Sequence, residues 1–469
     1  MLSAEQFQLA DAPRAARAGA PLLSTRGLVI FGAAHAPLAI LMFNFPEVAS
    51  LHALATIAVS LWLAVFGRRL KHVAYAGAYV VSAEVLWRMA DAQVLWETGK
   101  YATALVFVLA LLRLRSARGA ALPAWYFALL LPSVLPVLME FGLAGARKPI
   151  SFNLSGPLAL LVSARFFAHL TFSREDLRRL FLSALGPIFG IAAITVFTIL
   201  TNPEIVFTGE SNREVTGGFG PNQVSAILGL GVLLALFCAL YEEESRRLKL
   251  LMFGVIAFFS MQAAMTFSRG GLYNAVGASL IALVFLLKDG RARFNLVIAA
   301  ALLFASANYL VLPQLDAFTD GALTARFENV DPTGRWDLLV ADLNIWSDNP
   351  IFGVGPGQAT ALREELMLVA HTEFSRLLSE HGAFGFAALV ALLLSGAQCF
   401  RQAGSVRSRA LVAALIGWSF LFMLNAAMRM VAPSFVFGLA FATFALGEES
   451  AAADESRRRA EQGPQVVYW

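Results

Sequence analysis

The stretch QVSAILGLGVLLALFCALY, residues 223–241, carries no charged side chain across nineteen positions. A helix needs about 20 predominantly apolar residues to cross the hydrocarbon core of a bilayer. The run lacks the in–out alternation of a membrane barrel strand, so it reads as a spanning helix whose backbone polar groups are satisfied internally. Working outward, blocks of the same kind lie at 27–45, 49–67, 73–90, 101–112, 121–139, 153–170 and 181–200 on one side. On the other side they lie at 250–267, 271–287, 294–312, 383–399, 410–427 and 431–447. The fold class expected from them is all-α: a polytopic membrane helical bundle of about 14 transmembrane helices.

Composition agrees. Of the 469 residues, 58% are hydrophobic and 14% charged, and mean hydropathy is +0.67. Soluble domains run nearer 45–50% apolar and roughly 25% charged, so a soluble core is excluded. The formal charge of +4 does not point to nucleic acid, because the basic residues sit in short clusters between apolar blocks. Cys238 and Cys399 have no metal-type spacing and form no disulfide scaffold. No metal site is expected. The first 25 residues are too polar for a cleaved signal peptide and read as a cytoplasmic tail. The polar tail after Gly447 reads as disordered.

Basic clusters follow every second apolar block. They are Arg68/Arg69/Lys71, Arg113/Arg115/Arg118, Arg174/Arg178/Arg179, Arg246/Arg247/Lys249, Lys288/Arg291/Arg293, Arg401/Arg407/Arg409 and Arg457/Arg458/Arg459, joined by Arg14 and Arg17 at the start. The positive-inside rule puts these clusters, and hence both termini, in the cytoplasm. The pair Arg147/Lys148 is the exception. Four segments then fall on the far side: 201–222, Ser268–Gly271, a loop at about 313–382, and the turn around Arg429. A hydrophilic insertion as long as that loop is uncommon and usually functional. No fixed-period repeat is visible, which weakens a secondary-transporter reading.

Each far-side segment has a functional and a plain reading. In NREVTGGFGPNQVSA (212–226) the glycines permit unusual backbone angles and Pro221 starts a helix with Asn222 in its first turn. Amides there hold anions, with Arg213 as charge partner; the plain reading is a capped helix start. In TFSRGGL (266–272) almost no loop joins two spans, so Arg269 is held at the membrane surface. Its planar fork suits two phosphate oxygens; the plain reading is an arginine–carboxylate pair. In the long loop, Trp336, Leu339, Val340, Leu343 and Trp346 recur at helical spacing opposite Asp337, Asn344 and Asp348, an amphipathic helix for the membrane surface. GVGPG (353–357) is a tight turn, either a hinge or punctuation.

A second helix is expected from near His371 in AHTEFSRLLSEHGAFG, with Glu373, Arg376 and Glu380 forming a salt-bridge ladder and Gly382 ending or joining it. His371 at that start is the candidate base for a hydroxyl proton, against the plain reading of a capping histidine. His381 reads as structural. Glu84, Arg88 and Asp91 in the third block fall on one face, either as a structural pair or as the lining of a polar cavity.

Together these pieces resemble the O-antigen ligase and polysaccharide polymerase superfamily of bacterial inner membranes, over residues of about 205 to 400. The resemblance rests on the Arg-x-x-x-Gly-x-Phe-Gly-Pro-Asn stretch from Arg213, the Ser-Arg-Gly turn at 268–270, the tract RWDLLVADLNIWSDNPIFGVGPG, and the His-led helix closing with Glu380, Gly382 and Gly385. It implies transfer of a glycan from a polyprenyl (undecaprenyl) diphosphate carrier to an acceptor hydroxyl on the periplasmic face, inverting at the sugar, with no metal or other cofactor. The acceptor is the lipid A core in ligases and another lipid-linked repeat unit in polymerases; ligase is the first reading and polymerase the alternative. Carried onto this chain, it makes Arg269 the essential arginine and His371 the essential histidine, with Arg213 near the diphosphate. Thr372 stands where the family often has Asn. The expected partners are the lipid-linked donor, the glycan acceptor and membrane lipids, without nucleic acid. The expected layout is a cytoplasmic tail at 1–26, membrane bundle at 27–312, periplasmic loop at 313–382, membrane bundle at 383–447 and cytoplasmic tail at 448–469. A flippase or other transporter of an anionic lipid is the rival class; it accounts for Glu84 and Arg88 but not for the outer helix and His371.

Overall fold

The computed structural model describes residues 25–114, 119–242, 245–287, 312–329, 334–363 and 372–446, with Arg293 and Tyr309. The chain forms helices α1 (Thr25–Asn44), α2 (Pro46–Phe66), α3 (Leu70–Met89), α4 (Thr98–Leu111), α5 (Ala121–Leu129), α6 (Val134–Phe167), α7 (Arg174–Thr201), α8 (Pro221–Tyr241), α9 (Arg246–Met265) and α10 (Arg269–Leu286). The loop carries α11 (Leu312–Phe318), α12 (Ala322–Glu328), α13 (Arg335–Asp348) and α14 (Ala359–Leu362). α15 (Glu373–Gln402), α16 (Val406–Asn425) and α17 (Ala432–Leu439) follow. Among the described residues, 8 helices are long and apolar enough to cross a membrane, and the shorter stretches Val29–Asn44 and Thr98–Leu111 are apolar as well. This is an all-α, multi-pass membrane protein.

The expectation of about fourteen spans is corrected at two places. The block 121–139 is divided into α5 and the start of α6. Pro132 lacks an amide hydrogen and disfavours helical geometry at the residue before it, and the chain turns through Leu130–Ser133. The block 431–447 is not one span. Only the eight residues of α17 are helical, and Thr443–Phe444 instead pairs in parallel with Thr171–Phe172, in register Thr171 with Thr443. The Phe172 and Phe444 rings stack at that clasp. The block 294–312, and both tails, lie almost wholly outside the described residues.

Helix packing follows side-chain size. α1 and α3 pack on α7, α8 packs on α9 and α10, α10 packs on α16, and α17 packs on α6. α8 and α10 meet backbone to backbone. A Cβ on Gly229 would lie 2.2 Å from the Gly271 carbonyl oxygen, and one on Gly271 would lie 1.9 Å from that of Ser225. Small residues permit such approach where no hydrophobic force drives helix pairing. This crossing sets the start of α10 against the start of α8. Elsewhere Phe107, Phe166, Phe167 and Phe435 form the aromatic centre, with Phe107 and Phe166 stacked at 4.1 Å. Outward residues of α2, such as Leu51, Trp62 and Phe66, are exposed and form a lipid-facing side.

Two long helices are kinked. α6 turns at Gly142 (φ 63) and α15 at Gly382 (φ 59). At the second break the GVGPG turn docks on the helix. The Val354 and Gly355 amides donate to the Ser379 and Glu380 carbonyls at 3.0 and 2.9 Å, and the Ala383 amide donates to Pro350 at 2.8 Å. The turn therefore satisfies backbone groups that the kink releases.

Candidate active site

The turn between α9 and α10 is short and closely tied. Thr266 donates its hydroxyl to Ala263 O at 2.7 Å, and Phe267 takes a left-handed conformation at φ 57. Such geometry is rare for a bulky residue and is held here by its surroundings. The Ser268 hydroxyl donates to Asn222 Oδ1 at 2.7 Å, and Ser225 donates to the Ser268 carbonyl at 2.7 Å. Neither Ser268 nor Gly220 caps its own helix with a side-chain hydrogen bond. The amino ends of α8 and α10, each the positive end of a helix dipole, are thus fastened side by side. Arg269 occupies the first position of α10 and donates Nη1 to the Asn329 carbonyl of the loop.

Of the other sequence-derived candidates, Asn222 is therefore joined to the Arg269 turn directly. Arg213 is exposed on the 202–220 segment, and its neighbour Asn212 donates its amide to Thr266 O at 3.0 Å. His371 lies outside the described residues. The helix expected to begin near it starts at Glu373, with Thr372 as its cap: the Thr372 hydroxyl accepts from the Phe374 and Ser375 amides at 3.0 and 3.3 Å. A threonine is a competent cap in that position, which gives Thr372 a local role of its own.

Below this surface lies a buried ionic layer. Glu84 pairs with Arg88 at 2.8 Å, and Arg88 also reaches Gln223 Oε1 at 2.9 Å and the Trp96 carbonyl at 2.8 Å. Gln223 adjoins Asn222, so this pair sits next to the candidate site. Asp91 does not share their face: α3 ends at Met89, and Asp91 is exposed beyond it at φ 50. The Glu373–Arg376–Glu380 ladder is present and buried, with Arg376 donating to Glu380 at 2.7 Å and to Asn153 at 3.1 Å. Lys100, fully buried, pairs with Glu97 at 2.6 Å. His381 is buried with Nδ1 against the Ser133 hydroxyl.

Three further residues of the loop, two of them inside the quoted tract from Arg335, were not singled out individually from the sequence. Asp342, on the inner face of α13, accepts from Arg363 Nε at 3.0 Å, from Ser375 at 2.6 Å and from Ser379 at 3.2 Å. It ties the loop to α15. Arg326, on α12, donates to the Phe267 carbonyl at 3.0 Å and the Gly209 carbonyl at 2.9 Å. Arg335, first in α13, donates to Asn425 Oδ1 at 3.0 Å. Burial, and then Arg269 beside it, lowers the pKa of each guanidinium; Glu210 works the other way on Arg326, and Arg326 adds to the lowering at Arg335. No periodicity marks these positions. Among the described residues, no group of three or more His, Cys, Asp or Glu side chains is placed to hold a metal ion.

Fold and site together define a polytopic membrane protein with arginines gathered where two helix amino ends meet the described helices of the long loop. The family model described as O-antigen ligase matches residues 255–390, and this match supports a similarity of that segment to the O-antigen ligase superfamily. The matched segment holds Arg269, Arg326, Arg335, Asp342 and His371; Arg213, Asn222, Glu84 and Arg88 precede it. No curated protein matches the chain.

Proposed function

We propose that this protein transfers a glycan from a polyprenyl diphosphate to an acceptor hydroxyl on the periplasmic face of a bacterial inner membrane, with both termini in the cytoplasm. The observation that carries this reading is Arg269 at the first position of α10, beside the α8 amino end, inside the segment that matches the O-antigen ligase family. The acceptor oxygen attacks the anomeric carbon as the bond from that carbon to the diphosphate oxygen breaks. The proton of the acceptor passes to the His371 imidazole, and the charge growing on the diphosphate is met by Arg269, with Arg213 and the helix amino ends in support. Asn222 holds the Arg269 turn in place through Ser268. Glu84 and Arg88 line the polar layer beneath the sugar. Attack from the side opposite the leaving group gives inversion.

Transfer to the lipid A core is the first reading; transfer to a second lipid-linked repeat unit uses the same chemistry. Deletion of the gene distinguishes them: free lipid-linked polymer with bare core follows loss of a ligase, and single repeat units follow loss of a polymerase. Arg269→Lys and His371→Ala are each expected to lower transfer by about 10²–10⁴-fold at unchanged protein level. Undiminished glycan transfer in both variants, read on electrophoresed surface glycans, overturns the assignment.

A further inference from the structure

The long loop brings its own cations to the Arg269 turn. Arg326 grips the carbonyl of Phe267, two residues before Arg269. Arg335 lies on Asn425, whose Cβ stands 3.7 Å from where a side chain on Gly270 would begin, one residue after Arg269. Arg269 itself reaches back to the loop at Asn329. Three guanidinium groups from α10, α12 and α13 therefore converge on four residues of chain. Arg326 and Arg335 direct their hydrogen bonds to neutral oxygens: two carbonyls and an amide.

Like charges gathered beside a membrane are costly unless anions join them, and Glu210 offsets part of that cost at Arg326. After burial, repulsion from Arg269 lowers the pKa of both Arg326 and Arg335. The two forks stand on separate supports. Arg269 is carried by the amino end of α10, and Arg335 by the amino end of α13, where it bonds Asn425 beside Gly270. Each fork can take the oxygens of one phosphate.

We infer that Arg335 is a further diphosphate-binding residue, paired with Arg269 at this turn, and that Arg326 is a positioning residue that locks the loop on the turn so that both forks face one ligand. This deepens the transferase reading and rests on it. Two linked phosphates then bind far better than one, and selectivity for a diphosphate-linked lipid over a monophosphate-linked lipid is built by the loop. The loop helices α12 and α13 are thereby part of the donor site.

The test uses the full chain in nanodiscs and compares binding of farnesyl diphosphate with binding of farnesyl phosphate. The wild-type protein is expected to favour the diphosphate. Arg335→Gln is expected to weaken diphosphate binding at least tenfold and monophosphate binding much less. Arg335→Lys, which keeps the charge, is expected to lose part of the preference and carries the test should the glutamine variant fold poorly. Arg326→Gln is expected to weaken the diphosphate, with partial rescue by Arg326→Lys. Asp337→Asn, on an exposed side of α13, is expected to leave both affinities unchanged. A diphosphate preference unaltered in the Arg335 variants, or an equal loss for both ligands, overturns this assignment and leaves the transferase standing. A wild-type chain that binds neither lipid overturns both.

Discussion

Asp342 shows what one buried carboxylate does in this protein. It gathers Arg363, Ser375 and Ser379 and so joins the loop helix α13 to the membrane helix α15. Both ion-pair partners are almost fully buried. Removing one partner of such a pair strands the other charge, at a typical cost of about 3–5 kcal/mol. Asp342→Ala is therefore expected to lower the thermal midpoint in detergent by several degrees and to expose the loop to protease; an unchanged midpoint contradicts this role. Two other carboxylates act on backbone. Glu373 accepts from the Met428 amide at 3.1 Å and Glu84 from the Val431 amide at 2.7 Å. Between α16 and α17 the chain is non-helical, and buried amides released there need partners within the protein. Glu84 and Glu373 supply them, from helices far apart in sequence.

At the scale of elements, the break in α15 was legible as a glycine but its purpose was not. A Cβ on Gly382 would stand 2.6 Å from the Gly353 amide nitrogen and from the Ile351 carbonyl group, and the residue holds φ 59. Gly382→Ala is expected to unseat the GVGPG turn and to destabilise the protein by well over the ~1 kcal/mol of the left-handed conformation alone. Proteolysis of segment 349–357 together with the melting midpoint checks it, and wild-type resistance speaks against the docking role. The helix α13 was legible as amphipathic, but its sides were only partly assigned. Trp336, Val340 and Leu343 are exposed, while Leu338, Asp342 and Ile345 face α15. Apolar spacing located the outer stripe; it gave no reason to expect an aspartate among the buried positions, because its partners come from segments 21 to 37 residues further along the chain.

For the whole molecule, the alternation of basic clusters makes a definite expectation about sidedness. With Cys238 and Cys399, both buried, replaced by serine, single cysteines at exposed Glu204 and Gly404 should label from opposite faces. Glu204→Cys is expected to react with an impermeant maleimide in intact spheroplasts, and Gly404→Cys only after permeabilisation. Labelling of both from one face removes the proposed topology.

The membrane-spanning, all-helical class was determined by sequence alone, because long apolar runs have few other stable forms in a bilayer. Arg269 was also legible, since a charge in an almost loopless turn between apolar runs has few places to go. Tertiary structure decided which polar groups meet. The short α17 with its strand clasp, the caps supplied by Glu84 and Glu373, and the gathering of Arg326 and Arg335 around Arg269 all join residues distant along the chain. Local propensity and periodicity report a residue's neighbours within a turn or two of helix. Hydrogen bonds and charges in a low-dielectric interior are satisfied by whichever segment packing brings within about 3 Å.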